Sequence, residues 1–191
     1  MMGNGEEHII QKAKQGDQAA FAVLVEAYKK QAFNVALPIT GNREDAEEVA
    51  MDAFVKAWNA LPAFKGEAKF STWLFRIVYN TAISFRRKKR MDTVPMDEKL
   101  VENYSEDAFS SSLQMLTTEE QLQLVKKVME TLPPDDASLM ELFYHQQLSI
   151  EEISQITLLS VSNVKVKLHR IRKRIFAGIQ ARLKVAELRR I

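Results

Sequence analysis

The chain is 191 residues long, 46% hydrophobic and 27% charged, with 6 glycines, 5 prolines and no cysteine. That composition is globular, and it excludes disulfides, thiolate metal sites, iron-sulfur clusters and cysteine nucleophiles. The net charge of +2 conceals three blocks: residues 1–90 carry 14 Lys/Arg against 10 Asp/Glu, residues 91–131 carry 3 against 9, and residues 132–191 carry 10 against 6. Two basic blocks around an acidic one suggest two modules that meet a polyanion, joined by a stretch that does not. Solvated surface with chance clustering is the plainer account of the same counts. The longest purely apolar run, Ala19 to Val25, is too short to span a bilayer, and Met1 to Lys14 lacks the apolar stretch of a signal peptide. A cytoplasmic protein without membrane insertion is expected.

From the N-terminus, helical spacing dominates. Phe21, Leu24, Val25 and Tyr28 form one stripe; Ala46, Val49, Ala50, Ala53, Phe54, Ala57, Trp58 and Leu61 form a second; Leu74, Ile77, Val78, Ala82 and Phe85 form a third. Gly41-Asn42 precedes an acidic first turn at Glu44 and Asp45, while Pro62 and Gly66 separate the second stripe from the third. Three or four packed helices are expected to about residue 90. Residues 91–116 lose the period, gather six carboxylates and contain Ser110-Ser111-Ser112, which reads as a mobile linker. Helical signals resume at Thr118, placed to cap a helix with Gln121 and bearing Leu122, Val125 and Met129. Pro133-Pro134 ends that helix and opens one carrying Leu139, Leu142 and Phe143. No segment alternates with period two, so the fold class is all-α: two small helical domains, 1–90 and 117–191, joined by the acidic linker 91–116.

The stretch from Ser149 to Ile175 is the most informative. Ser149-Ile150-Glu151-Glu152 is a capping box, followed by a short helix with Ile150, Ile153 and Ile156 inward, a turn at Thr157 to Leu159, and a second capping serine, Ser160. Two helices so joined make a helix-turn-helix. On the second helix, Val161, Val164, Leu168, Ile171 and Ile175 share one face. Ser162, Asn163, Val166, Arg170 and Lys173 lie opposite, flanked by Lys165, Lys167, His169, Arg172 and Arg174. Hydroxyl, amide, methyl and guanidinium groups match what base edges present in the major groove. A basic solvated helix closing a small bundle would account for the cations but not for Val166 among them.

The first block offers a second candidate surface. It ends in Arg86-Arg87-Lys88-Lys89-Arg90, more cations than a helix dipole needs at its C-terminus. On the same helix Trp73, Arg76 and Asn80 form a stripe beside the buried one, with Phe64, Lys65, Phe70, Ser71 and Thr72 in the preceding loop. Rings beside cations and amides can receive unstacked bases, although the plainer account of Phe70 and Trp73 is that they are core. Enzyme signatures fail: His8, His145 and His169 lack metal-ligand spacing, and no P-loop, dinucleotide fingerprint or GxSxG occurs. Carboxylate pairs such as Asp45 with Glu48 and Glu151 with Glu152 are explained by helix starts. No catalytic residue, cofactor or metal is expected.

With these blocks laid out, the sequence from about Gly16 to Gln180 resembles a bacterial RNA polymerase sigma factor of the sigma-70 family, extracytoplasmic-function (ECF) group. The run DAEEVAMDAFVKAW from Asp45 to Trp58 is similar to the helix that docks on the polymerase. The resemblance then implies core-polymerase contacts at Asp45, Glu48, Met51, Asp52, Val55, Lys56 and Asn59. FKGEAKFSTWLFRIVYNTA, from Phe64 to Ala82, is similar to the region that melts and reads the minus-ten element. It implies single-strand contacts at Phe64, Lys65, Phe70, Ser71, Thr72, Trp73, Arg76 and Asn80, with Arg86, Arg87, Lys88, Lys89 and Arg90 on the backbone. Leu132-Pro133-Pro134 and the helix-turn-helix resemble region 4, the minus-thirty-five reader. This implies duplex contacts at Ser160, Ser162, Asn163, Lys165, Val166, Lys167, His169, Arg170, Lys173 and Arg174.

Three departures stand out: Met51 where this family usually has glutamine, Leu158 at the usual glycine of the turn, and Ser162-Asn163 in place of Gly-Thr. A leucine at positive φ is strained, which predicts a differently shaped turn. The implied function is transcription initiation, with core polymerase, duplex and single-stranded promoter DNA, and an anti-sigma factor as partners. Two other readings remain open from the residues alone: a helix-turn-helix regulator with an N-terminal sensor bundle, and a helical scaffold that never touches DNA.

Overall fold

The structure is a computed structural model of the chain and describes residues 4–90 and 118–188; the expected acidic linker lies outside the described residues. Every element among the described residues is helical: α1 (Asn4–Lys14), α2 (Gln18–Thr40), α3 (Arg43–Ala60), a single 3-10 turn (Leu61–Ala63), α4 (Phe70–Arg90), α5 (Thr118–Met129), α6 (Pro134–Met140), α7 (Ile150–Thr157) and α8 (Val161–Leu188). A π-helical turn, Glu141–His145, continues α6.

The N-terminal bundle is α1 to α4, with α2, α3 and α4 packed pairwise. Its boundaries follow local chemistry. Asp17 accepts from the Ala20 N–H at 3.0 Å and starts α2. Gly41, at φ 82°, closes that helix with its N–H on the Leu37 carbonyl, a left-handed cap that suits glycine. Asn42 then caps α3 through the Asp45 N–H at 2.9 Å. The second half of α2, where Ala32, Val35, Ala36 and Ile39 are buried, was not part of the expected stripe. Small alanines there let α2 lie close to its neighbours.

Two expected boundaries shift. Phe70, Ser71 and Thr72 form the first turn of α4 and not a loop, because the Trp73 N–H already bonds the Lys69 carbonyl at 3.1 Å. Likewise α5 includes Thr118 as its first residue, so Thr118 lies inside the helix and not at its cap.

In the C-terminal region α6, α7 and the start of α8 enclose Leu139, Leu142, Ile153, Ile156, Val164, Leu168 and Ile171, all buried. The distal part of α8 pairs with α5 over a smaller cluster of Val128, Ile179 and Leu183. There a Cβ at Gly178 would stand 2.9 Å from Val128 Cγ1, so the glycine sets how closely α5 and α8 approach. The two regions share one continuous core: α4 packs on α7, and α2 on α6.

The turn between α7 and α8 keeps its left-handed residue, contrary to the expectation of a different shape. Leu158 has φ 61° and ψ 15°, and it is 66% exposed. The conformation is imposed by its surroundings: the Leu158 N–H bonds the Ser154 carbonyl at 2.9 Å, and the Ser154 hydroxyl donates to the Leu159 carbonyl at 2.6 Å. A left-handed L-residue costs roughly 1–2 kcal/mol, while glycine adds about 0.5–1 kcal/mol of unfolded-state entropy. Leu158→Gly should therefore stabilise the protein by about 0.5 kcal/mol, read as a higher urea midpoint with an unchanged slope; a lower midpoint would show that the exposed leucine contributes packing.

Candidate nucleic-acid interface

On α4, three stripes run side by side. Leu74, Val78 and Ala82 face the N-terminal core with no accessible surface. Thr72, Tyr79 and Arg86, seven residues apart, face the C-terminal region. Between them Arg76, Asn80 and Arg87 are exposed.

Beside the exposed stripe lies a cleft of about 300 Å³ lined by Ala63 to Ala68, Thr72, Trp73, Arg76 and Gln155. One wall is aromatic. Phe64 and Trp73 lie 5.0 Å apart by ring centroids, Phe70 and Trp73 5.6 Å, and Phe64 and Phe70 5.9 Å. Lys14 donates to the Phe64 carbonyl at 2.7 Å and fixes the loop that forms the rim. The three rings have different roles. Phe70 is 1% exposed and also packs edge-on to Tyr28, so it belongs to the core, whereas Phe64 and Trp73 are half-buried and border the cleft. Thr72 is buried; its hydroxyl donates to Glu152 at 3.4 Å. Lys65 is exposed and Ser71 half-buried.

The cation run at the end of α4 divides. Arg86 donates to Asp135 at 2.6 Å, and Lys89 donates to Asp45 at 2.6 Å, while Arg87 and Lys88 are exposed. Lys89 and then the Asn42 amide hold the Asp45 carboxyl below the usual carboxylate range. Asp45 thus ties the start of α3 to the end of α4. The other residues expected to meet polymerase, Glu48, Met51, Asp52, Val55, Lys56 and Asn59, are all exposed on α3. Met51 is 63% and Val55 57% exposed, an apolar pair between carboxylates. Lys56 also reaches back to the Thr81 hydroxyl at 3.2 Å.

The helix-turn-helix forms as its two serines direct. Ser149 accepts from the Glu152 N–H at 3.1 Å while Glu152 accepts from the Ser149 N–H at 2.9 Å. Ser160 accepts from the Asn163 N–H at 3.2 Å and starts α8. With Val164, Leu168 and Ile171 buried, Ser162, Asn163, Lys165, Val166, His169, Arg170 and Lys173 are exposed and Lys167 is half-buried. Val166, 45% exposed, is held out among polar neighbours. Two flanking cations are engaged within the protein: Arg174 pairs with Asp136, and Arg172 donates to the Tyr144 hydroxyl at 2.8 Å with its guanidinium 5.6 Å from the Phe143 ring.

Sequence reasoning missed Gln155, Asp135 and Glu152. A capping box accounts fully for a glutamate at that position, so no local signal pointed to its second contact with Lys69, 2.8 Å away. Burial pushes the Glu152 carboxyl up, but Lys69 and Ser149 together outweigh it and hold it below its ordinary value. Its contribution is accordingly complete at neutral pH and is lost as pH falls through the acidic carboxylate range.

A cleft with cations beside a helical bundle, together with a capped helix-turn-helix, makes this a two-region helical protein of the kind that binds DNA. The sequence matches the models of Sigma-70 region 2 over residues 24–91 and Sigma-70 region 4 over residues 122–175. It is 32% identical to the ECF RNA polymerase sigma factor SigW of Bacillus subtilis over 171 residues, covering 86% of this chain and 91% of that one. It is 29% identical to the ECF RNA polymerase sigma-E factor of Escherichia coli K12 over 181 residues, 92% and 94% of the two chains. The fold is also that of CnrH, solved with the cytosolic domain of CnrY (TM-score 0.65, 22% identity, 93% and 99% of the chains). The sigma factor RpoE of Bartonella quintana, solved with the anti-sigma factor NepR, is similar in the same way (TM-score 0.58, 18% identity, 84% and 96%). The chain belongs to the ECF group of the sigma-70 family: it is a sigma factor, not an enzyme, and directs RNA polymerase to promoters through regions 2 and 4.

The pairing of Arg174 gives a test that separates folding from DNA contact. Its side chain is 32% exposed and that of Asp136 16%. Arg174→Ala should destabilise the protein by about 1 kcal/mol while leaving the salt dependence of DNA binding nearly unchanged; a slope reduced by one phosphate contact would mean that Arg174 leaves Asp136 for DNA.

Proposed function

We propose that the chain divides its work as domains 1–90 and 117–191, joined by the linker 91–116, with polymerase, single strand and duplex each meeting a different helix. Polymerase core docks on the exposed side of α3, through Glu48, Met51, Asp52, Val55 and Asn59. Met51 and Val55 are large apolar groups exposed on that face among the described residues, and carboxylates flank them. The minus-ten strand follows Arg76, Asn80 and Arg87 along α4 and delivers one unstacked base to the cleft bordered by Phe64 and Trp73. The support is the coincidence of a cleft large enough for a base with a continuous exposed stripe of amide and guanidinium groups.

The minus-thirty-five duplex is read by the N-terminal part of α8. Ser162, Asn163, Val166 and Arg170 supply base-edge contacts; Lys165, Lys167 and Lys173 supply phosphate contacts. The observation that carries this reading is the exposure of Val166 together with Ser162, Asn163 and Arg170 opposite a fully buried stripe. The likeness to RpoE, whose structure holds the anti-sigma factor NepR, supports an anti-sigma partner for this chain too.

Charge reversal at Glu48 with Asp52 should weaken core binding in a pull-down while the helical circular dichroism is unchanged. On the reading helix, Arg170→Ala should cost roughly 1–3 kcal/mol and relax preference at one position, whereas Lys167→Ala should weaken all sequences alike and lower the salt slope by about one. For the N-terminal region the decisive assay is permanganate footprinting of a supercoiled promoter with core polymerase. Normal strand opening by an Arg76→Ala/Asn80→Ala variant would refute the strand-tracking role of α4.

A further inference from the structure

The rim of the cleft is a stretch with little local support. Residues 65–69 belong to no helix, Lys65, Gly66 and Glu67 are exposed, and Gly66 turns through φ 76°. Phe64 ends the 3-10 turn, its N–H on the Leu61 carbonyl at 3.0 Å. Among the described residues, the hydrogen bond that ties residues 64–68 to an α-helix is the one the Phe64 carbonyl accepts from Lys14, at 2.7 Å. Lys14 is half-buried in the last turn of α1, where the chain reverses tightly. The Gln15 and Gly16 N–H groups bond the Lys12 and Ala13 carbonyls at 3.0 Å, Gly16 has φ 91°, and Asp17 at once caps α2. Further back along α1, Ile10 and Ala13 are buried, and Glu6 accepts from the Tyr28 hydroxyl, whose ring lies 5.5 Å from Phe70.

The donor is thus held more firmly than the acceptor. A hydrogen bond from an ammonium is shorter and roughly twice as strong as one between neutral groups, and the half-burial of Lys14 limits its screening by salt. Anchoring the Phe64 carbonyl fixes the peptide plane between Phe64 and Lys65. It thereby fixes the direction in which the Phe64 ring leaves the chain towards Trp73, 5.0 Å away by ring centroids. Trp73 needs no such help, because its N–H on the Lys69 carbonyl already places it in α4. One side of the cleft is therefore set by a core helix and the other by Lys14. α1, Asn4–Lys14, lies wholly before residues 24–91, which match region 2, and the promoter reading gives it no part.

We propose that Lys14 is a positioning residue for strand opening: by holding the Phe64 carbonyl it keeps the Phe64 ring at the spacing from Trp73 that receives an unstacked base, without itself touching DNA. The role rests on the assignment of the cleft to the minus-ten strand. A cation committed to a carbonyl neutralises no phosphate, so Lys14 adds nothing to the salt dependence of binding. Its effect falls on the step in which a base leaves the stack, because closed duplex presents no unstacked base to the cleft. A rim left free must be ordered at that moment, and the cost is subtracted from the opening step.

The test uses the full chain. Lys14→Met keeps the apolar stem and removes the donor, and Lys14→Arg keeps a donor. The protein has no cysteine of its own, so one spin label at Glu67→Cys, an exposed loop position, reports the mobility of the rim in the free chain. Lys14→Met should sharpen its resonance lines and Lys14→Arg should not, with circular dichroism unchanged in both. With core polymerase on a supercoiled promoter, unlabelled Lys14→Met should slow permanganate-detected opening roughly tenfold, while closed-complex affinity and its salt slope stay as in the wild type. Lys14→Arg should restore opening. Phe64→Ala is the reference: it should slow opening too, and adding Lys14→Met to it should slow opening little further, since the ring that Lys14 positions is gone. An unaltered loop label, normal opening by Lys14→Met where Phe64→Ala is slow, additive effects in the double variant, or a salt slope lowered by about one would each overturn the positioning role alone. Normal opening by Phe64→Ala would refute the assignment of the cleft, and the role of Lys14 with it.

Discussion

Leu74, Val78 and Ala82 reach into the N-terminal bundle, and on another side of the same helix Thr72, Tyr79 and Arg86 meet the other half of the molecule. α4 is therefore buried along two stripes and exposed along a third. A helix of 21 residues has enough circumference for all three only if each is narrow, one residue in every one or two turns, which is what the spacings of four and seven provide. The rest follows from that constraint. The aromatic trio sits at the start of α4 because the loop from Phe64 must return against it, and the cations gather at its end, where the helix dipole favours them. Rotating α4 would exchange solvent-facing groups for core-facing ones, so its packing fixes the register of the exposed stripe.

The second region solves a smaller problem by similar economy. α7 has only 8 residues, too few to be stable as an isolated helix, and it is held by a capping box at one end and a strained left-handed leucine at the other. Those two devices fix its ends, while Ile153 and Ile156 anchor it to α8. The strain at Leu158 is tolerated because three side-chain and backbone hydrogen bonds over-determine the turn. A short, firmly ended helix can then carry charge on its outer surface without losing its own order, and Glu152 does so.

What could be read from the sequence was what depends on neighbours along the chain. The stripes of α3, α4 and α8, the break at Gly41-Asn42, the caps at Ser149 and Ser160, and the two-proline junction before α6 all express local periodicity or local hydrogen bonding, and they are found where the spacing put them. The helix-turn-helix and its exposed face were legible for the same reason. What could not be read was contact between distant residues. Nothing near Phe70 marks it as core and Trp73 as rim; the difference lies in Tyr28, 42 residues earlier. Asp135 and Asp136 stand in the first turn of α6, where the helix dipole already favours carboxylates, and nothing along the chain reveals that each also holds an arginine. Leu158 was read as a disturbance of the turn because local strain was weighed without the hydrogen bonds that offset it.

These long-range pairs change the meaning of the charge pattern. Fourteen cations in the first 90 residues suggested a broad polyanion surface, yet Arg86, Lys89 and Lys69 each face a carboxylate in the folded chain. A cation already paired contributes to DNA binding only by exchange: one ion pair is lost as one phosphate contact forms, and the freed carboxylate must be solvated. Exposed cations such as Arg87 and Lys88 release counterions without that exchange. Affinity at low salt should thus be set by fewer groups than the sequence counts. On the strand path proposed above, the paired cations would act instead on specificity, since their carboxylate partners would be given up only where phosphates are placed to replace them. A basic protein in a cell full of nucleic acid needs that restraint, because a surface of fully available cations binds any strand it meets.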